Sequence, residues 1–128
     1  MTTREDVQAW LDRLELPVES VADDIWLIRT EEGAELAVNF APPVLVLRVK
    51  VMRQPSDSTR AGELYRQLLE YNARDLVHGS YGVEGDHVVL TDTLELTNLD
   101  FSEFEASVDS LTLALASHAG TLAPFGEG

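Results

Sequence analysis

Three short runs with strand character follow one another with almost no chain between them, and this spacing constrains the fold more than any other feature. Residues 25–30 (IWLIRT) are short and apolar. Residues 34–40 alternate, which puts Ala34, Leu36, Val38 and Phe40 on one face. Residues 44–52 alternate as well, with Leu45, Leu47, Val49 and Val51 on one face and Val46, Arg48 and Lys50 on the other. The links are Glu31-Glu32-Gly33 and Ala41-Pro42-Pro43. Both are short enough for hairpins and leave no room for a crossover, so the three runs form an antiparallel meander.

Helices flank the meander. Thr3 caps a first helix with Asp6 as a capping-box partner, and Val7, Trp10, Leu11 and Leu14 make one apolar face at helical spacing before Pro17 ends it. A second helix is expected over about residues 59–74, capped by Asp57 or Ser58. Its face is Ala61, Leu64, Tyr65, Leu68, Leu69 and Asn72, and His78-Gly79 closes the segment with Gly79 in a left-handed cap. Residues 80–83 and 87–96 read as two more strands joined at Glu84-Gly85-Asp86. After a loop at 97–101, Ser102 and Glu105 form a capping box for a third helix, with Phe101 placed to staple onto Ala106. Phe104, Val108, Leu111 and Leu115 line that helix. The order α-β-β-β-α-β-β-α predicts an α+β fold with an antiparallel sheet. One domain is expected over residues 1–119, and residues 120–128, carrying Gly and Pro without a pattern, are expected to fray.

Charge and composition narrow the function. The net charge is −14 over 128 residues. All nine Lys and Arg lie at or before Arg74, while acids continue to Glu127. A field of this sign repels phosphate, so nucleic acid and anionic membrane are expected not to be partners. It favours solubility and attracts basic polypeptides. There is no cysteine, which removes disulfides and thiolate chemistry and fits a cytoplasmic location. The opening MTTREDVQAW has an acidic pair where a signal peptide would carry its apolar run.

Candidate chemistry is sparse. His78-Gly79-Ser80-Tyr81-Gly82 is near the G-x-S-x-G nucleophile elbow, but it lacks the first Gly and follows a helix rather than the strand an elbow needs. His78, His87 and His118 are scattered without ligand spacing, so no metal site is expected and the histidines are read as exposed. The adjacent pairs Asp23-Asp24 and Glu31-Glu32 point apart on strands or turns, whereas acid–base work needs two carboxylates aimed at one substrate. No phosphate-binding loop is present. No enzymatic activity and no cofactor are therefore expected. Trp10 and Trp26 are read first as core residues.

The middle and end of the chain carry a resemblance. Leu68-Leu69-Glu70-Tyr71-Asn72 near the end of a helix is followed by Gly79, then Tyr81-Gly82-Val83. A Gly-Asp turn, Val88-Val89-Leu90, Leu94-Glu95-Leu96, Leu99-Asp100 and a closing amphipathic helix come next. This succession resembles the type III secretion chaperone-like superfamily, which includes CesT-type effector chaperones and the YbjN family. The resemblance covers about half of the chain at motif level and the rest at the level of element order. It implies a homodimer that binds an extended stretch of another polypeptide on apolar patches without nucleotide. It supplies no catalytic residues.

Within that frame the partner-binding surface is expected at Val7, Trp10, Leu11 and Leu14 on the first helix, with Val46, Arg48 and Lys50 on one strand face. The dimer interface is expected at Leu64, Tyr65, Leu68, Leu69 and Tyr71, because a helix apolar on two sides needs two partners. Two rivals stay open: a regulatory or small-molecule-sensing domain of the YbjN type, and a structural domain with a folded partner. A closed pocket with converging polar groups would favour the sensor.

Overall fold

The short links impose the expected pairing, and one further strand joins it. The computed structural model describes residues 1–31 and 33–126, so Glu32 of the first link lies outside the described residues. Helix α1 (Arg4–Arg13) leads into β1 (Val18–Ala22), β2 (Ile25–Arg29), β3 (Glu35–Ala41) and β4 (Val44–Arg53). Helix α2 (Ser58–Arg74), β5 (Ser80–Glu84), β6 (His87–Glu95) and α3 (Phe101–Leu122) follow, with a short 3₁₀ turn at Ala123–Phe125. The six strands form one antiparallel sheet in the order β1-β2-β3-β4-β6-β5. The α-β-β-β-α-β-β-α order holds, with β1 added ahead of the meander. Its sequence, VESVA, is exposed beyond Val18, as suits a short polar edge strand.

Register explains the core. Ile28, Leu36, Val49, Leu90 and Tyr81 stand opposite one another across five strands, and all are buried. Trp26, Val38 and Leu47 form the next such row. Because side chains alternate along a strand, this puts every inward apolar group on one face. Val7 and Leu11 of α1, Leu64, Leu68 and Tyr71 of α2, and Phe104, Val108 and Leu111 of α3 join that cluster. The opposite row, Leu27, Ala37, Arg48, Thr91 and Ser80, faces outward.

Local signals set the helix ends. The Thr3–Asp6 capping box forms, and accepting the Thr3 N–H and then its hydroxyl holds the Asp6 carboxyl below the usual range. Asp57 caps α2, accepting the Arg60 N–H at 2.9 Å. The α3 cap is Asp100, which accepts the Glu103 N–H at 2.8 Å, rather than Ser102. A carboxylate two residues earlier both accepts the orphan N–H and suits the positive helix end. Phe101 thus opens the helix instead of preceding its cap. At the other end α3 continues to Leu122, which is buried, and Arg60 reaches the Pro124 carbonyl and the Phe125 ring. These contacts dock the first part of the segment expected to fray; Glu127 and Gly128 lie outside the described residues.

The α2 C-cap is Asp75, so Gly79 is not the helix cap but the turn that enters β5. It is left-handed, with φ at +80°. A Cβ there would lie 2.8 Å from Leu111 Cδ2 and 2.9 Å from the Thr91 carbonyl oxygen. Gly33 is also left-handed, at φ +86°, but has no neighbour that close. Gly79→Ala therefore combines backbone strain with a clash and is expected to cost roughly 3 kcal/mol. Gly33→Ala carries the strain alone and is expected to cost about 1 kcal/mol. Urea denaturation of the two variants checks the difference.

Candidate functional site

Strand β4 is longer than one of its neighbours. Its pairing with β6 runs from Val44↔Glu95 to Arg53↔His87, with a bulge between Lys50 and Met52. Among the described residues, pairing with β3 stops at Leu36↔Val49. Lys50, Met52 and Arg53 thus pair on the β6 side only, and Val51 sits in the bulge between them. The gap beside them opens into a groove of about 800 Å³. Thr30, Gly33 and Ala34 from the β2–β3 turn form one wall, and Thr112, Leu115, Ala116 and Ala119 of α3 form the other. Val49 and Val51 lie between them, and Leu27, Ala37, Arg48 and Lys50 carry the groove toward the outward sheet face. A smaller hollow of about 240 Å³ continues it past Met52, Leu122 and Ala123, sharing Val51, Leu115 and Ala119.

The residues expected to bind a partner divide between core and surface. Val7 and Leu11 are fully buried, so α1 uses that stripe to close the core and neither can serve as a contact surface. Trp10 is half-buried, tilted against Phe104 with ring centroids 5.9 Å apart, and Leu14 is also half-buried. Trp26 is core, its indole N–H donating to Gln8 Oε1 at 2.9 Å. Val46 sits on the outward face between Asn39 and Thr93. Arg48 pairs with Glu84 at 2.7 Å, and its Nε is buried without an acceptor among the described residues. Lys50 is exposed and has no ion pair among the described residues. On α2, Leu64, Leu68 and Tyr71 point into the core, which removes them from any interface, whereas Tyr65 and Leu69 face outward, Leu69 at 66% exposure. Of the groove residues of α3, the sequence marks only Leu115, as part of the helix's apolar face, because the role of Thr112, Ala116 and Ala119 depends on where β3 stops. The one available signal is the run of small residues Ala114, Ala116, Ala119 and Gly120.

A second constellation lies at the junction of α2, β5 and α3. His118, expected on the surface, is 5% exposed. Its ring stacks on Tyr71 with centroids 3.5 Å apart and planes 5° from parallel. The Tyr81 hydroxyl is 2.7 Å from Nδ1, and Nε2 is 3.3 Å from Asp75 Oδ2. In the tautomer that satisfies both contacts, Tyr81 donates to Nδ1 and the Nε2–H donates to the carboxylate. Burial pushes the Tyr81 phenol up, and the neighbouring Tyr71 and Asp75 add to the rise. That is the wrong direction for a nucleophile or base near neutral pH. The near-elbow places Ser80 exposed at the start of the edge strand β5, outside this chain of contacts. Among the described residues no helix is long and apolar enough to cross a membrane.

The CesT_Tir_1 family model matches residues 1–127. No curated protein matches the chain. Several solved structures share its fold. A chain of the heterodimeric ExoU–SpcU complex from the type III secretion system of Pseudomonas aeruginosa is 20% identical, with a TM-score of 0.70, covering 94% of this chain and 98% of that one. The Yersinia pestis type III secretion chaperone SycH structure, in complex with a fragment of YscM2, is 15% identical at TM-score 0.64 over 90% and 98%. YbjN from E. coli is 12% identical at TM-score 0.68 over 93% of each chain.

The buried phenol makes stability depend on pH. Above about pH 10 the unfolded chain releases the Tyr81 proton while the folded chain keeps it. The folded state then binds more protons, so stability falls as pH rises, by about 1.4 kcal/mol per unit for this group. Tyr81→Phe is expected to flatten that alkaline limb while losing the hydrogen bond to His118. Urea unfolding between pH 8 and 12 measures both effects.

Proposed function

The chain belongs to the CesT_Tir_1 family, and from that premise we propose that it is a non-enzymatic, chaperone-like protein that holds an extended stretch of another polypeptide and works as a homodimer. The observation that carries this reading is the groove beside β4. It is open, apolar along Val49, Val51, Leu115 and Ala119, and bordered by an incompletely paired strand. Such a surface suits an extended backbone, which can pair with a strand edge while its side chains fill the groove. The ExoU–SpcU and SycH–YscM2 structures, which share the fold, each hold a protein partner, and this supports the same mode here. A small-molecule sensor needs an enclosed pocket with converging polar groups. Of the polar side chains of this groove, Lys50 and Glu35 are exposed at its rim, Arg48 pairs with Glu84, and the buried Thr30 hydroxyl accepts the Ala34 N–H, so they do not converge on one enclosed point.

Affinity purification of the tagged protein from its source cells, with hydrogen exchange on whatever co-purifies, tests the reading. One polypeptide in stoichiometric yield, with fast-exchanging amides in its free form that become protected when bound, is the expected result. A chain that purifies alone, or with a partner already folded, overturns it.

The homodimer rests on Tyr65 and Leu69, one helical turn apart on the outer face of α2. Exposed apolar groups at this spacing form a stripe that a second copy would cover. Light scattering is expected to give twice the single-chain mass of 14.1 kDa. Leu69→Asp is expected to give the single-chain mass with unchanged circular dichroism, because the side chain faces solvent. Leu68→Asp, buried in the core, is expected to unfold the chain by placing a carboxylate there, at a penalty of roughly 3 kcal/mol or more. A wild-type mass near that of one chain overturns the dimer.

A further inference from the structure

We propose that a recess between the end of α2 and the outer side of α3 is an anchor site for one basic side chain of the partner, an Arg or Lys with apolar neighbours. This deepens the polypeptide-binding reading and rests on it, but the surface is a different one. The recess holds about 320 Å³. Asp75 and Val77 stand on one side of it and Leu113 and Ser117 on the other, and the buried His118 ring also lines it. The groove beside β4 uses Thr112, Ala116 and Ala119, which lie on the opposite flank of α3.

Asp75 sets the charge preference. It is the C-cap of α2, so its carboxylate stands at the negative end of a helix, where a cation is the favoured neighbour. Among the described residues its carboxylate has one partner, the His118 Nε2–H at 3.3 Å, which engages Oδ2 and leaves Oδ1 open. No Lys or Arg forms an ion pair with it there, the adjacent Arg74 included, and the chain after Arg74 holds no base. The fold thus supplies no cation at this carboxylate. Val77 and Leu113 are 85% and 68% exposed. Either alone would need no explanation, but here they flank one recess. The stem of an Arg or Lys lies along such apolar surface while its head reaches a carboxylate. His118 is itself held by stacking on Tyr71 and by the Tyr81 hydroxyl, so Asp75 is oriented before a ligand arrives. That lowers the ordering cost of binding.

The probe is the end-capped tripeptide acetyl-Leu-Arg-Leu-amide, compared with a citrulline version that keeps the shape and loses the charge. Amide chemical shifts of the intact, isotope-labelled protein follow each titration. The Arg peptide is expected to move residues 75–77 and 110–118 and to bind about fivefold more tightly than the citrulline peptide at low salt, with the difference fading as salt screens it. Asp75→Asn keeps an acceptor for His118 and changes the net charge of −14 by one unit, so the overall field barely alters. It is expected to remove the difference between the peptides and to leave the citrulline peptide unaffected. Leu113→Ser, at an exposed position, is expected to weaken both peptides with circular dichroism unchanged. Equal affinity for the two peptides, shifts confined to other surfaces, a difference that survives Asp75→Asn, or binding untouched by Leu113→Ser overturns the inference. Co-purification from source cells separates this failure from that of the broader reading. If both variants recover the partner undiminished, polypeptide binding stands and this anchor falls. If the wild type recovers none, both fall.

Discussion

The β4–β6 ladder is the constraint on which the rest of the structure depends. It joins the N-terminal meander to the C-terminal hairpin across a long stretch of chain, from Val44↔Glu95 to Arg53↔His87. It aligns Val49 with Leu90 and so completes the inward row from Ile28 to Tyr81. It brings Thr91 close enough to Gly79 that only hydrogen fits between that backbone and Leu111. Because β4 must be long enough to pair with all of β6, it outruns β3, and the groove follows from that mismatch. The candidate site is a consequence of unequal strand lengths around one ladder.

Polar groups inside this frame serve the fold. Asp92 is on the inward side of β6, opposite Leu47, where a carboxylate without a partner would be costly. The Ser107 hydroxyl donates to it at 2.6 Å, which accounts for a fully buried serine among the apolar positions of α3. Asn72 binds both the N–H and the carbonyl of Tyr81, fixing β5 against α2. The Tyr81–His118–Asp75 chain ties the same two elements to α3. These groups orient one another within the protein.

The fold was legible because its signals are local. Alternation in residues 34–40 and 44–52, links too short for crossovers, and Gly-Asp at 85–86 determine most of the sheet, and the succession after Leu68 points to the family. β1 was not legible, since the apolar residues of VESVA, Val18, Val21 and Ala22, do not alternate and only Val18 is partly buried. The α3 cap was misplaced because Asp100 and Ser102 both satisfy the capping pattern, and only the backbone decides between them. The site was less legible than the fold. Periodicity identifies Val7, Leu11, Leu64 and Leu68 as apolar faces, but whether an apolar face is buried or offered depends on what packs over it. Trp10, Tyr65 and Leu69 keep exposed surface because their helices present an edge or an outer side. His118 looked isolated because its partners, Asp75 and Tyr81, come from distant parts of the chain.

One sequence pattern gains meaning only once the groove is seen. α3 carries Glu103, Glu105 and Asp109 in its first half, where acids suit the positive end of a helix. From Ser110 to the end of the described chain there is no Asp, Glu, Lys or Arg. A helix face that meets only water usually carries charge. Here Ala116 and Ala119 are exposed, uncharged and small, and they are the residues that wall the groove. Charge on that half would put a desolvation penalty on anything entering beside β4, and bulk would close the gap that the short β3 leaves. The partition of α3 into an acidic half and an uncharged half thus matches the division of the molecule. One half carries charge, and the other walls the groove without any.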